Sequence, residues 1–150
     1  PTPEAEFPAT IDASPVSEVK TDIGWEVYAP ALKSLIEGLY KRYELPVCYI
    51  TENGACYNME VENGEVDDQP RLDYYIEHLD IVADLIKDGY PMCGYFAWSL
   101  MDNFEWAQGY KMRFGLVHVD YETQVRTVKK SGKWYGELAA QFPKGNHKGA

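Results

Sequence analysis

The apolar residues of this chain follow two different spacings. In two stretches, one after Pro30 and one after Pro70, they recur every three or four residues, which is typical of an amphipathic helix. Two short continuous runs, residues 47–51 and 92–98, are rich in β-branched and aromatic types and predict buried strands. The apolar positions expected on the helices are Leu32, Leu35, Ile36, Leu39 and Tyr43 in the first and Leu72, Tyr75, Ile76, Leu79, Val82, Ala83 and Ile86 in the second.

The order of these elements predicts the fold class. Each strand is followed by a long loop and then by a helix, and a third helix, expected to be capped by Ser131, ends the series. Parallel strands need such crossover helices, so the pattern predicts an α/β fold of the (β/α)8 TIM-barrel type. A whole barrel has eight strands and about 250 residues. With 150 residues and two strong strand candidates, the chain is expected to be an incomplete barrel.

Less regular segments complete the outline. Four prolines lie in the leading segment, residues 1–20, which is therefore expected to be irregular. Residues 116–119 are expected to be extended, and the tail, residues 143–150, is expected to fray. Residues 1–150 are accordingly interpreted as a piece of one barrel domain rather than as several domains.

The acidic composition limits the classes of partner. Lys and Arg number 14 against 24 Asp and Glu, which gives a net charge of −10. Nucleic acid and anionic membranes attract basic surfaces, so neither is an expected partner, whereas a neutral substrate is compatible. The three cysteines show no paired spacing and only three histidines are present, so no metal or other cofactor is expected. Unpaired cysteines and the lack of an apolar run of about 18 residues favour a cytoplasmic protein.

A lone carboxylate marks the end of the first apolar run. Glu52 follows the run directly and precedes Asn53-Gly54. In a βα barrel the ends of the parallel strands carry the catalytic groups, and a carboxylate there can attack the anomeric carbon of a sugar or stabilise positive charge on it. The alternative is a strand that enters a hairpin turn, with Glu52 solvated at its edge. Residues 49–54 alone do not separate the two.

Aromatic and acidic residues crowd together after the second run. Sugars present apolar C–H faces and polar hydroxyl edges, so their sites combine flat aromatic rings with carboxylates. Trp98 is a candidate platform beneath a pyranose ring, Glu105 a candidate acceptor for two neighbouring hydroxyls, and Trp106 a candidate indole N–H donor. The alternative is an aromatic cluster that packs the end of the barrel, with Asp102 and Glu105 as solvated loop acids.

Four blocks of sequence, at their spacing, resemble a known family. They are Ile50-Thr51-Glu52-Asn53-Gly54, the run from Trp98 to Trp106, Arg113-Phe114-Gly115-Leu116, and the stretch from Lys129 to Tyr135. Together they closely resemble glycoside hydrolase family 1, the β-glucosidases, over roughly residues 14 to 142. The resemblance is to the last third of such an enzyme, and it implies that the chain carries barrel strands seven and eight with their flanking helices.

The resemblance implies a role for each motif residue. Glu52 corresponds to the catalytic nucleophile, and Trp98 to the platform under the sugar that is cleaved off. Glu105 corresponds to the residue that binds the 4- and 6-hydroxyls, and Trp106 to the donor to the 3-hydroxyl. Phe114 corresponds to a residue that lines the pocket near the 6-position. A carboxylate at Glu105 would repel a phosphate, so unphosphorylated sugars are the expected substrates.

One part of the family's catalytic machinery is absent from this sequence. The acid/base glutamate of the family lies in an Asn-Glu-Pro motif, and no Asn-Glu-Pro occurs here. The expected function is therefore hydrolysis of a β-glucoside or oligosaccharide by a retaining mechanism, with the N-terminal portion of the same enzyme supplying the acid/base glutamate. The isolated chain is expected to be inactive. The alternatives are a non-catalytic carbohydrate-binding module and a partial barrel that self-associates.

Overall fold

The computed structural model describes residues 15–142. The tail at 143–150 and the first 14 residues of the leading segment lie outside the described residues, so the predictions made for them stay predictions. In chain order the elements are α1 (Pro30–Arg42), β1 (Cys48–Asn53), α2 (Gln69–Lys87), β2 (Met92–Ala97), a single 3₁₀ turn (Trp106–Gln108), β3 (Val117–Val119), β4 (Arg126–Val128) and α3 (Lys130–Gln141).

The two predicted strands pair with each other in parallel. β1 and β2 are neighbours in one sheet, and α2 forms the crossover between them. The described residues are thus a partial α/β unit, as the order of apolar runs predicts. α1 and α3 both pack against α2. A second sheet, the antiparallel pair β3 and β4, was not predicted as a hairpin; only an extended stretch at 116–119 was expected there.

The pairing of β1 with β2 is irregular at the end that carries Glu52. Ile50 lies opposite Tyr95 and Asn53 lies opposite Ala97, so three steps along β1 match two steps along β2. One residue of β1 is therefore extra, as in a β-bulge, and Glu52 falls within it. Such a bulge bends the strand and turns side chains to a new direction. The predicted strand stopped at residue 51, two residues before the end of β1.

The buried face of α2 includes only part of the predicted apolar stripe. All the apolar positions predicted for the second helix lie on α2; Leu72, Tyr75 and Val82 are buried, whereas Ile76 and Ile86 are 36% and 53% exposed. Helical spacing identifies an apolar stripe, whereas the neighbouring elements decide which part of that stripe is covered. The other buried side chains of α2 are Arg71, Tyr74, His78 and Leu85.

The start of α3 differs from the sequence expectation. α3 begins at Lys130, and Ser131 is its second residue rather than its cap. The Ser131 backbone N–H and hydroxyl donate instead to the carboxylate of Asp68, at 2.8 and 2.6 Å. Asp68 immediately precedes α2, so the acid at the start of α2 accepts a hydrogen bond from a backbone N–H at the start of α3. The prediction of a serine cap was wrong because the true acceptor lies 63 residues away.

The buried Tyr75 and the half-buried Tyr95 and Tyr135 join the helices to the ends of the strands. The Tyr75 hydroxyl donates to the Trp98 carbonyl at 3.1 Å, and the Tyr135 hydroxyl donates to the Tyr95 carbonyl at 3.0 Å. The Tyr95 hydroxyl in turn donates to the Asn53 side-chain oxygen at 2.5 Å. Each phenol buries an apolar ring while its hydroxyl finds a polar partner. The core thereby fixes the backbone at the carboxyl ends of β1 and β2.

No helix among residues 15–142 has the length and apolar character needed to cross a membrane.

Candidate active site

The ends of β1 and β2 bring two of the sequence-predicted site residues to one edge. Because the strands are parallel and Asn53 lies opposite Ala97, Glu52 and Trp98 belong to the same end of the sheet. The Trp98 N–H donates to the Asn53 carbonyl at 2.7 Å, which ties the two strand ends together. A Cβ at Gly54 would lie 1.8 Å from the Trp98 carbonyl oxygen, so only glycine permits this approach.

Glu52 presents its carboxylate to solvent at this edge. Its side chain is exposed and, within residues 15–142, accepts no hydrogen bond and forms no ion pair. A carboxylate that no cation or donor holds is available as a nucleophile. Glu52 is not part of a hairpin turn, because its strand pairs in parallel with β2 and leads into the long loop before α2.

Glu105 occupies a half-buried position close to Trp98. Its Oε1 atom is buried and has no hydrogen-bond partner in the described part of the chain. Burial raises the pKa of Glu105, the Trp98 side chain lowers it through a hydrogen-bond interaction, and the charge of Asp102 raises it. A buried acceptor without a donor is costly unless something supplies one.

Trp106 and Phe114 lie in contrasting environments. Trp106 is 84% exposed and has a positive φ of 46°, in a short loop closed by a 2.7 Å bond from the Glu105 N–H to the Gly109 carbonyl. Phe114 is only 3% exposed, and its ring packs on Trp25 with 5.9 Å between centroids. The structure therefore presents the indole of Trp106 openly, whereas Trp25 covers Phe114 in the described residues.

A buried charge cluster, which the sequence analysis missed, lies beneath this loop. Asp102 accepts from Lys129 Nζ at 2.8 Å and from Arg113 at 2.7 Å, and the Asp102 and Lys129 side chains are fully buried. The alternative that treats Asp102 as a solvated loop acid is wrong. Burial alone would raise the pKa of Asp102, but the charges of Lys129 and Arg113 outweigh it and hold the pKa below its usual value. Burial also lowers the pKa of Lys129, to about 8.

A second buried cluster holds the loop that follows β1. Asp68 and Arg71 form a fully buried ion pair at 2.6 Å. The remaining N–H groups of Arg71 donate to three backbone carbonyls, those of Ala55, Tyr57 and Arg113, at 3.3, 2.9 and 2.6 Å. Arginine suits this role because its planar fork carries five donors. One side chain thus joins the loop after β1 to the segment after β2.

Neither cluster includes a metal-binding arrangement. Among residues 15–142 no three His, Cys, Asp or Glu side chains lie close enough together to hold a metal ion.

The arrangement of the chain matches one known family over nearly its whole length. The family model described as Glycosyl hydrolase family 1 matches residues 2–143, which include both strands, both clusters and the candidate site. The chain belongs to glycosyl hydrolase family 1.

Proteins similar to this chain include two that are named β-glucosidases. The chain is 80% identical over 146 residues to a β-glucosidase of Agrobacterium sp., and 48% identical over 120 residues to β-glucosidase A of Thermotoga maritima. These matches cover 97% and 79% of this chain but 32% and 27% of the relatives. The chain thus spans about a third of the length of the curated relatives it matches.

Solved structures share the fold of this chain over the matched region. The virulence factor SghA from Agrobacterium tumefaciens is 82% identical and superposes with a TM-score of 0.88, covering 95% of this chain and 32% of that one. A second structure of SghA contains the substrate analogue salicin. A family 1 β-glucosidase from Thermotoga maritima, solved with isofagomine lactam, is 46% identical with a TM-score of 0.80 over 81% of this chain and 28% of that one.

Proposed function

We propose that this chain forms the C-terminal part of a retaining β-glucosidase, including barrel strands seven and eight, and supplies its nucleophile. The observation that carries the proposal is the shared edge of Glu52 and Trp98 at the ends of two adjacent parallel strands. That edge is where TIM-barrel enzymes carry out their chemistry. Identity of 80% to a β-glucosidase over the same residues supports this substrate class.

Glu52 performs the first chemical step. One oxygen of its carboxylate forms a bond to the anomeric carbon while the bond from that carbon to the aglycone oxygen breaks. The departing oxygen takes a proton from the acid/base glutamate, which the remaining portion of the enzyme supplies. That glutamate then removes a proton from water, which attacks the anomeric carbon and releases Glu52. A retaining enzyme needs its two carboxyl groups about 5–5.5 Å apart, so the missing portion must close over this edge.

The residues after β2 recognise the sugar. Trp98 lies under the ring, and the half-buried Glu105 carboxylate accepts hydrogen bonds from the 4- and 6-hydroxyls. Trp106, exposed beside Glu105 in the chain, donates its indole N–H to the 3-hydroxyl. Phe114 borders the 6-position beside Trp25, whose ring packs on it.

A chimaera makes the proposal testable. In this chimaera, the present chain replaces the matching third of the Agrobacterium β-glucosidase, to which it is 80% identical. We expect the chimaera to hydrolyse an aryl β-glucoside, whereas the isolated chain should not, because a general acid contributes roughly 10²–10⁴-fold and the chain has no such donor. A chimaera that folds without hydrolysing the glucoside would refute the proposal.

Glu52→Gln tests the nucleophile within the chimaera. The amide has nearly the same shape but cannot form the glycosyl-enzyme, so hydrolysis should fall to background. Glu60→Gln is a matched control, because Glu60 is an exposed acid on the loop that follows Glu52. An activated fluoro-sugar followed by peptide mass analysis should label Glu52. A label on Glu105 would reverse the roles assigned to the two acids.

A further inference from the structure

We propose that Asp102 is a positioning residue that fixes Glu105 for recognition of the sugar hydroxyls. The inference rests on the proposed function, because Glu105 is its point of action. Asp102 precedes Glu105 by three residues, and the two lie on the same loop between β2 and β3.

Asp102 joins four separate donors through one carboxylate. Its Oδ1 accepts from Lys129 Nζ at 2.8 Å and from the Gly115 N–H at 2.9 Å. Its Oδ2 accepts from Arg113 at 2.7 Å and, at 3.4 Å, from the Val119 N–H. The donors come from the end of the same loop, from β3 and from the residue before α3, so the carboxylate locks the loop onto three segments. Hydrogen bonds from charged donors are the strong ones in such a network.

The backbone around Asp102 is packed too tightly to shift. A Cβ at Gly115 would lie 2.1 Å from the Asp102 nitrogen, so the two strands of the loop touch at this point. The Asp102 N–H also donates to the Val117 carbonyl at 3.0 Å. Both the main chain and the side chain of Asp102 are therefore fixed.

The far side of the loop is held through Arg113 as well. The Arg113 guanidinium lies 4.9 Å from the centre of the Tyr121 ring, and Tyr121 packs on Tyr110 with 4.7 Å between centroids. The Tyr121 hydroxyl approaches the Asn103 carbonyl at 3.4 Å. Arg113 thus links Asp102 to contacts on both flanks of the Glu105 segment.

Glu105 itself has little to hold it in place. Its buried Oε1 makes no hydrogen bond in residues 15–142, so its direction depends on the hydrogen-bond interaction with the Trp98 side chain and on the backbone that carries it. A recognition carboxylate that keeps an oxygen free for substrate needs support from elsewhere. Asp102 supplies that support without touching the sugar.

The test compares two substrates in the chimaera. One is an aryl β-glucoside, and the other is its 4,6-dideoxy analogue, which lacks both hydroxyls assigned to Glu105. Asp102→Asn removes the charge that holds the loop. We expect kcat/KM for the glucoside to fall about tenfold, mainly through KM, while kcat/KM for the dideoxy analogue falls no more than about twofold. Glu105→Gln should likewise lower the ratio of kcat/KM for the glucoside to kcat/KM for the dideoxy analogue. The double variant with Asp102→Asn should lower that ratio little further than Glu105→Gln alone.

A matched control separates positioning from general loss of structure. Asp68→Asn removes an equally buried, cation-paired acid that reaches the Glu105 loop only through Arg71 and the distant Arg113 carbonyl, so it should lower kcat/KM for both substrates by one common factor. If Asp102→Asn fails to fold, Lys129→Met replaces it, with the same fall in the ratio of the two kcat/KM values expected. Equal losses for both substrates in the Asp102 variant would overturn the inference. Absence of activity in the unsubstituted chimaera would instead refute the proposed function.

Discussion

The loops after β1 and β2 are both held by a buried carboxylate, but the two carboxylates face different cations. Asp68, at the end of the first loop, pairs with Arg71, and both side chains are fully buried. Asp102, in the second loop, pairs with the fully buried Lys129 and with Arg113, which keeps 15% of its side chain exposed. Geometry and distances are otherwise similar, between 2.6 and 2.8 Å.

The difference between the cations decides how each cluster responds to damage. Arginine keeps its charge under all ordinary conditions, whereas a buried lysine can release its proton. Burial, joined by repulsion from Arg71, already lowers the pKa of Lys129 to about 8. Loss of the acid should therefore destabilise the protein more in the Asp68 cluster than in the Asp102 cluster.

Removal of the acid from the first cluster should have the largest effect on stability. Asp68→Ala leaves the Arg71 charge buried with only carbonyl partners and also removes the acceptor for Ser131. We expect a loss of about 3–5 kcal/mol in the free energy of unfolding of the chimaera. Urea unfolding measures it. Asp67→Ala is the control, because Asp67 forms an exposed pair with Lys130, and its loss should cost less than about 1 kcal/mol.

Removal of the acid from the second cluster should cost less. In Asp102→Ala, Lys129 can lose its proton and so avoid an unpaired buried charge, while Arg113 keeps the Val119 carbonyl as acceptor at 3.0 Å. A loss of about 2–3 kcal/mol is expected in the same urea experiment. A loss equal to or greater than that of Asp68→Ala would show that the identity of the cation does not govern the cost.

Alkaline pH should separate the two clusters further. Burial lowers the pKa of Lys129 to about 8, and Asp102 opposes this shift by stabilising the charged amine. The stabilisation from the Asp102–Lys129 pair is therefore present below about pH 8 and is lost as the pH rises through that value. The cost of Asp102→Ala should therefore shrink between pH 7 and pH 9.5. The cost of Asp68→Ala should shrink less, because the Arg71 charge does not change and Asp68 raises the pKa of Lys129 less than Asp102 does. Parallel changes in the two variants would contradict the comparison.

The sequence predicts the two parallel strands that carry the site better than it predicts the buried charge clusters that hold the loops. Parallel pairing of β1 and β2 follows from two apolar runs separated by a helix, and that pairing alone places Glu52 and Trp98 at one edge. The clusters have no such local signature. Lys129 lies 27 residues from Asp102, and Ser131 lies 63 residues from Asp68. Periodicity reports which residues share a face of one element, but it does not report which distant charges meet in the core.

The bulge at Glu52 and the exposure of Ile86 were missed for a related reason. Both depend on the element opposite, since the bulge exists only in the register of β1 against β2, and the covered face of α2 exists only relative to its neighbours. Local sequence preference predicts whether a segment forms a helix or a strand more reliably than it predicts which elements pack against that segment.

The smallest expected effect is a loss of stability at acidic pH that comes from the two buried histidines, His78 and His118. Burial lowers the pKa of His118, and the charge of Arg113 lowers it further, while Asp102 raises it. Burial also lowers the pKa of His78 on α2, where the Tyr74 carbonyl opposes the shift. For both, the unfolded chain binds protons more readily than the folded one, so stability should fall as the pH drops below about 6.5.

Histidine replacement can show whether the charges of the second cluster add to this acid sensitivity. Between pH 7 and pH 5.5 each histidine should contribute at most about 1.4 kcal/mol to the loss of stability. His118→Gln should flatten the pH dependence of the urea midpoint, and His78→Gln is the matched control for burial without adjacent arginine or lysine. In the Asp102→Ala background, replacing His118 should flatten the curve more, because the charge that favoured its protonation is gone. If His118→Gln has the same effect in both backgrounds, the histidine responds to burial alone and is not coupled to the Asp102 cluster.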